Sequence, residues 1–203
     1  MVERYASLLS ADASDYKGII KKVESWNFKG LHFDVMDGHF VKNFAFSPHI
    51  IKSLRNITLL AFNIHLEILN LGEYLDIFID SGADIITIHP AATRYVERDL
   101  KYLRAKNIKS SIALDPETGE KTIFKYLPLV DNVIIMSVYP GFGKQRFIPE
   151  TLDKIENLKK EISRKKLDIT ISVDGSINDE TAGIVAQKGA DILIYGSSIF
   201  RWF

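Results

Sequence analysis

Eight short runs rich in Ile, Val, Leu and Phe recur along this chain with stretches of helical periodicity between them, and that alternation restricts its fold more than any other feature. The runs occupy residues 5–9, 31–35, 60–65, 84–89, 110–114, 132–138, 169–173 and 192–195. The periodic stretches include 16–26, 71–81, 94–106, 149–162 and 179–188, with Ser, Asp or Asn near several starts, where a helix needs a cap. Runs that are apolar along most of their length suit parallel strands covered by helices on the outside. Eight such units in unbroken order predict an α/β chain closed into a (β/α)8 TIM barrel, a single domain over residues 1–203. After the eighth run only residues 196–203 remain, so the closing C-terminal helix is expected to be short or missing.

Composition narrows the function. Lys plus Arg number 26 and Asp plus Glu number 26, so no net field draws the chain to nucleic acid or to an anionic membrane. The stretches 159–160 and 164–166 are basic, but they lie around a predicted helix C-terminus, where cations complement the helix dipole. Cysteine is absent, which excludes disulfides, thiolate metal sites and thiol nucleophiles. Any metal must therefore be held by His and carboxylates. No apolar stretch is long enough to span a bilayer, and the expectation is a cytoplasmic protein acting on a small molecule.

In this fold the chemistry sits at the C-terminal ends of the strands. The second run ends His32-Phe33-Asp34-Val35-Met36-Asp37, and a period of two places His32, Asp34 and Met36 on one face. The third ends Asn63-Ile64-His65-Leu66-Glu67, with Asn63, His65 and Glu67 sharing a face, and the seventh ends Val173-Asp174-Gly175. His32, Asp34, His65 and Asp174 make an N2O2 donor set suited to one divalent ion, Zn or else Fe, Mn or Co. Four inward polar groups of ligand type are costly in a barrel interior without a metal or mutual pairing. Glu67 is expected in or beside that metal's shell, or else turned outward to a surface cation. His89 is read as supporting the site, and His39 and His49 as surface or loop residues.

A second constellation is rich in glycine. Tyr139-Pro140-Gly141-Phe142-Gly143-Lys144-Gln145, Asp174-Gly175-Ser176 and Gly196-Ser197-Ser198 follow the last three runs, and such loops let backbone N–H groups approach a phosphate. A short helix opening after Gly196 would add its dipole.

Ser7-Leu8-Leu9-Ser10-Ala11-Asp12, the stretch 31–41, Met136-Ser137-Val138-Tyr139-Pro140-Gly141-Phe142-Gly143, the stretch 147–155 and Val173-Asp174-Gly175 together resemble the signature segments of the ribulose-phosphate 3-epimerase family. The resemblance runs in order from about Ser7 to Phe200. It implies a (β/α)8 barrel, often a homo-oligomer, that binds zinc or another divalent ion. It implies His32, Asp34, His65 and Asp174 as metal ligands, with Asp34 and Asp174 also the acid/base pair. Ser7 and His65 would contact the sugar phosphate, Met36 and Met136 would flank the reacting carbons, and Gly141, Phe142, Gly143, Lys144, Gly175, Ser176, Gly196 and Ser197 would hold the phosphate. The implied reaction inverts C3 of D-ribulose 5-phosphate through an enediolate. The chain departs from the family pattern at Glu67 (usually Met), Lys144 and Ser176 (usually Gly), Lys42 (usually Pro) and Ala91 (usually Glu). Asp174-Gly175-Ser176 is more similar to the related allulose-6-phosphate 3-epimerases. A related barrel decarboxylase would need Asp-x-Lys-x-x-Asp in the third run, where Asn63, His65 and Ile68 stand instead. A phosphate-binding barrel without catalysis is the alternative from another class, and it is opposed by the presence of both Asp34 and Asp174.

Overall fold

The computed structural model describes residues 2–200. Eight parallel strands close on themselves: β1 (Glu3–Ser7), β2 (Gly30–Asp37), β4 (Ala61–Glu67), β5 (Ile85–Ile88), β6 (Lys109–Leu114), β7 (Asn132–Met136), β8 (Thr170–Asp174) and β9 (Ile192–Tyr195). Closure is made by β1, which pairs with β9 on one side and with β2 on the other. A two-residue strand, β3 (Phe44–Ala45), folds back antiparallel on the end of β2, pairing Met36 with Ala45. The eight expected runs all fall on barrel strands, displaced by up to two residues at their starts; β3 has no counterpart in the expected pattern.

Alternation along the strands sorts side chains into two layers. Leu31, Phe33 and Val35 of β2 and Phe62, Ile64 and Leu66 of β4 point to the helices and join the main core. Phe33 packs against Phe62 with ring centroids 4.7 Å apart, behind the face that carries His32 and Asp34. Inside the barrel a smaller cluster of Tyr5, Ile85, Ala113, Ile134, Met136, Ile192 and Ile194 fills part of the space. The rest is polar and paired: Asn63 accepts from Thr87, and Asn132 joins Ser111, Thr170 and Ser172. Those groups are satisfied by one another, which makes them structural.

The outer layer has six α-helices among the described residues: α1 (Tyr16–Ser25), α2 (Pro48–Arg55), α3 (Leu75–Ile79), α4 (Val96–Ala105), α5 (Thr151–Lys165) and α6 (Thr181–Gln187). Helix α1 starts where the Asp15 carboxylate accepts from the Gly18 N–H and buries Ile19, Ile20 and Val23. Helix α2 combines a Ser47 cap with Pro48 in its first turn. After β6 the helix is replaced by 3-10 turns at Glu120–Ile123 and Leu127–Leu129. After β9 the described residues make a turn, Ile199 N–H to Gly196 O, where the closing helix is expected to be short or missing. Residues 196–200 contain no helix and so add no helix dipole at that loop. Residues 201–203 of the expected tail lie outside the described residues. No helix among the described residues is long and apolar enough to cross a membrane.

Three aspartates just ahead of strands stitch neighbouring strands together at the N-terminal rim. Asp84, Asp131 and Asp191 accept from the backbone N–H of Phe62, Ser110 and Ile171 respectively. Asp84 also meets Arg55, whose guanidinium lies 3.8 Å from the Phe62 ring centroid, and Asp191 meets Lys159. These contacts fix the starts of the strands whose far ends carry the site.

Candidate active site and metal centre

At the C-terminal rim, parallel register lines up Ser7 with His32, Asp34 with His65, and Met136 with Asp174 across adjacent strands. The Asp34 Oδ1 stands 3.1 Å from His32 Nε2 and 3.3 Å from His65 Nδ1, and Asp174 Oδ2 stands 3.5 Å from His32 Nε2. The Ser7 hydroxyl donates to the other Asp34 oxygen, Oδ2, at 2.9 Å. The four donor atoms all lie within 4.8 Å of one another. Ligands held tetrahedrally at about 2.0–2.1 Å from a zinc-like ion are separated by about 3.3–3.4 Å. The contacts of 3.1–3.5 Å match that spacing, and the borderline N2O2 chemistry fits the same ions, so these residues could hold one divalent cation.

The electrostatics divide the two carboxyls. Burial favours the neutral form of Asp34, but His32 and His65 beside it outweigh that and hold its carboxyl well below the usual range. Burial, reinforced by the Asp34 charge, pushes Asp174 up to about 7 against the pull of His32. His65 is driven down to about 4 by burial and its neighbouring imidazoles, which leaves it neutral as a metal ligand must be. Burial opposes the charged form of His32, yet Asp34 and Asp174 raise its pKa above the ordinary value.

A cleft of about 560 Å³, including its open mouth, lies above this cluster. Ser7, Asp34, Met36, Met136, Gly141, Phe142, Gly143, Lys144, Asp174, Gly175, Ser176, Gly196 and Ser197 all line it, together with Ser10 and Glu67. His32 and His65 are fully buried beneath it. The glycine-rich loops after β7, β8 and β9 therefore meet on one arc. Two of the departures from the family pattern have a backbone consequence: Lys144 and Ser176 both adopt the left-handed region, at φ 62° and 52°, where glycine is unstrained. Ala91 and Lys42 are exposed.

His39 and His49 are exposed, as expected, although His49 lies on α2 rather than in a loop. His89 is fully buried, its Nε2 2.7 Å from His65 Nε2 and its Nδ1 3.1 Å from Asp115 Oδ1. It thus holds the side of the His65 ring that faces away from Asp34. Asp115 went unnoticed in the sequence, although the rule that singles out Asp34 and Asp174, a polar residue at a strand's C-terminal end, applies to it directly after β6. Lys154 of α5 secures that loop by donating to the carbonyls of Asp115, Pro116 and Thr118. Glu67, with 1% exposure, is turned inward, which removes the outward-facing alternative. Its carboxylate groups with His65 and His89, beside the four-residue cluster and not within it.

The profile of the ribulose-phosphate 3 epimerase family matches residues 4–200 of the chain. The chain is 37% identical over 201 residues to the ribulose-phosphate 3-epimerase of Bacillus subtilis, covering 98% of this chain and 93% of that protein. It is 36% identical over 195 residues to the Escherichia coli K12 protein of the same name, covering 96% and 87%. Among solved structures, a mutant tryptophan synthase α-subunit from the hyperthermophile Pyrococcus furiosus superposes with a TM-score of 0.73 over 98% of this chain and 88% of that one, at 12% identity. That last likeness concerns the fold alone.

Proposed function

Since the chain belongs to the ribulose-phosphate 3-epimerase family, we propose that it interconverts D-ribulose 5-phosphate and D-xylulose 5-phosphate by moving a proton between the two faces of C3. The observation that carries this reading is the convergence of two carboxyls from separate strands on one cluster with two imidazoles. Asp34 and Asp174 approach from β2 and β8, three strands apart around the barrel, and so stand to serve as base and acid on opposite faces of C3. Asp34 accepts the C3 proton, made acidic by the adjacent ketone, and Asp174 delivers a proton to the opposite face; the reverse reaction exchanges their roles. Ser7 keeps Asp34 oriented through its second oxygen. Met36 and Met136, both buried, present apolar walls that keep bulk water from the carbanionic intermediate. His32, Asp34, His65 and Asp174 would hold a divalent cation, which would supply Lewis-acid stabilisation of the negative charge on substrate oxygens. Zinc suits the spacing of those donors.

The phosphate is placed on the backbone amides of the loops after β7, β8 and β9, with Gly175 the most constrained position. Its φ is +118°, and a Cβ there would fall 2.8 Å from the Val138 backbone nitrogen. Gly175→Ala is expected to raise KM at least about tenfold and to destabilise the fold by about 1–3 kcal/mol. Lys144→Ala, which removes an exposed cation and leaves the amides in place, should raise KM only about two- to fivefold. Steady-state kinetics of both variants, with thermal melts, check the pair; equal effects would refute the amide cradle.

The reading is tested by incubating the purified, metal-reconstituted protein with D-ribulose 5-phosphate and, separately, with D-allulose 6-phosphate, and following C3 inversion by coupled assay. Turnover of the pentose phosphate at the higher kcat/KM is expected. Preference for the hexose phosphate would reassign the substrate, and turnover of neither with metal bound would refute the epimerase reading.

A further inference from the structure

We propose that Glu67 recognises the C1 hydroxyl of the substrate, the group at the end of the ketose remote from the phosphate; this rests on the ketose-phosphate reading above. Glu67 ends β4 with its side chain buried, and its Oε2 has no hydrogen-bond partner among the described residues. The Gly141 N–H lies near the same carboxyl, while the charged groups acting on it are the carboxylates Asp34, Asp174 and Asp115. Leaving a buried carboxyl oxygen unpaired costs about 1–3 kcal/mol or more, so a donor supplied by the ligand accounts for its retention. Glu67 lines the same cleft as Asp34 and Asp174.

Its place on the rim selects which substrate atom it meets. Around the closed barrel β4 is the third strand and β8 the seventh, so Glu67 stands diametrically opposite the Gly175 loop. A ketose phosphate with its phosphate at that loop and C3 between Asp34 and Asp174 extends its ketone and then C1 toward β4. The C1 hydroxyl can donate and accept, so it pairs with a carboxyl in either protonation state. Methionine, which the resemblance leads one to expect at this position, offers no such bond.

A second cation site is the competing occupant, because His65, Glu67 and His89 bring ligand atoms within 4.8 Å. The 2.7 Å contact between His65 Nε2 and His89 Nε2 argues against it. Two imidazole nitrogens at that distance share a proton, which occupies both lone pairs and leaves Glu67 as a single ligand.

The test compares the metal-loaded wild-type protein with Glu67→Gln and Glu67→Met on D-ribulose 5-phosphate and on 1-deoxy-D-ribulose 5-phosphate. C3 hydrogen exchange in D2O is read by NMR for both compounds, and bound metal is counted in each protein. The wild type should favour the hydroxylated substrate by about 10- to 100-fold in kcat/KM. Glu67→Met should bring that ratio close to one, with the loss on the natural substrate appearing more in KM than in kcat, and Glu67→Gln should retain part of the preference. The same ratio in wild type and Glu67→Met would overturn the assignment, as would two cations per wild-type chain falling to one in Glu67→Met. If the wild type exchanges neither compound, the ketose-phosphate reading falls and this inference with it; exchange of the parent with an unchanged ratio removes the inference alone.

Discussion

Asp34→Asn and Asp174→Asn should each lower kcat/KM for C3 inversion by about 10^3-fold or more, because in the proposed scheme either change removes a proton carrier and a metal ligand together. Both amides are close in size to the carboxyls they replace and stand in a buried cluster, so the barrel is expected to persist in both variants. The two variants should differ in one respect. The carboxyl that remains still faces one side of C3, so with metal restored a variant can exchange the C3 hydrogen of one epimer with solvent while failing to invert it. Deuterium incorporation followed by NMR, with separate assay of each epimer, measures this. Inversion at near wild-type rate by either variant would eliminate the two-carboxyl scheme.

Chelation of divalent cations should reduce activity to about 1% or less, and addition of a single cation equivalent should restore it. The pH dependence of that restoration has a definite sign. In the metal-free protein Asp174 holds its proton up to about pH 7, and His32 is likewise raised above its ordinary value. Ligation requires both groups deprotonated, whereas Asp34 is already ionised and His65, at about 4, already neutral. Cation affinity should therefore rise with pH by at least about tenfold per unit below 7 and level off above the folded-state pKa values. Competition against a chromogenic chelator from pH 5.5 to 8 measures it, and a flat profile would mean that the cation does not displace the Asp174 proton.

The same two groups show how far the sequence reaches. Alternation by two places His32 and Asp34 on one face of β2, and His65 and Glu67 on one face of β4, and this holds whatever the rest of the chain does. Once eight strand-and-helix units are counted, barrel closure sends those faces inward, so the ligand set and the glycine-rich arc are legible as a list of residues. The antiparallel strand Phe44–Ala45 was not legible, because two residues carry no periodicity and the pairing depends on where β2 ends. Nor was the absence of a helix after β6, where short 3-10 turns cover the barrel in its place.

What the sequence by itself determined is local: which residues share a strand face, which loops can bring amides close to an anion, and which donor types are available to a metal in a chain without cysteine. What only the tertiary structure decided depends on contacts between strands far apart in the chain. Asp34 and Asp174 are equivalent as sequence, and in the metal-free cluster they separate because burial, with the Asp34 charge, outweighs the pull of His32 on Asp174, whereas two imidazoles outweigh burial at Asp34. Glu67 could face in or out until the Gly141 loop and the buried His65–His89 pair enclosed it on the inside. Charge interactions and burial act through space over a few ångströms, and spacing along the chain does not encode which groups will stand that close.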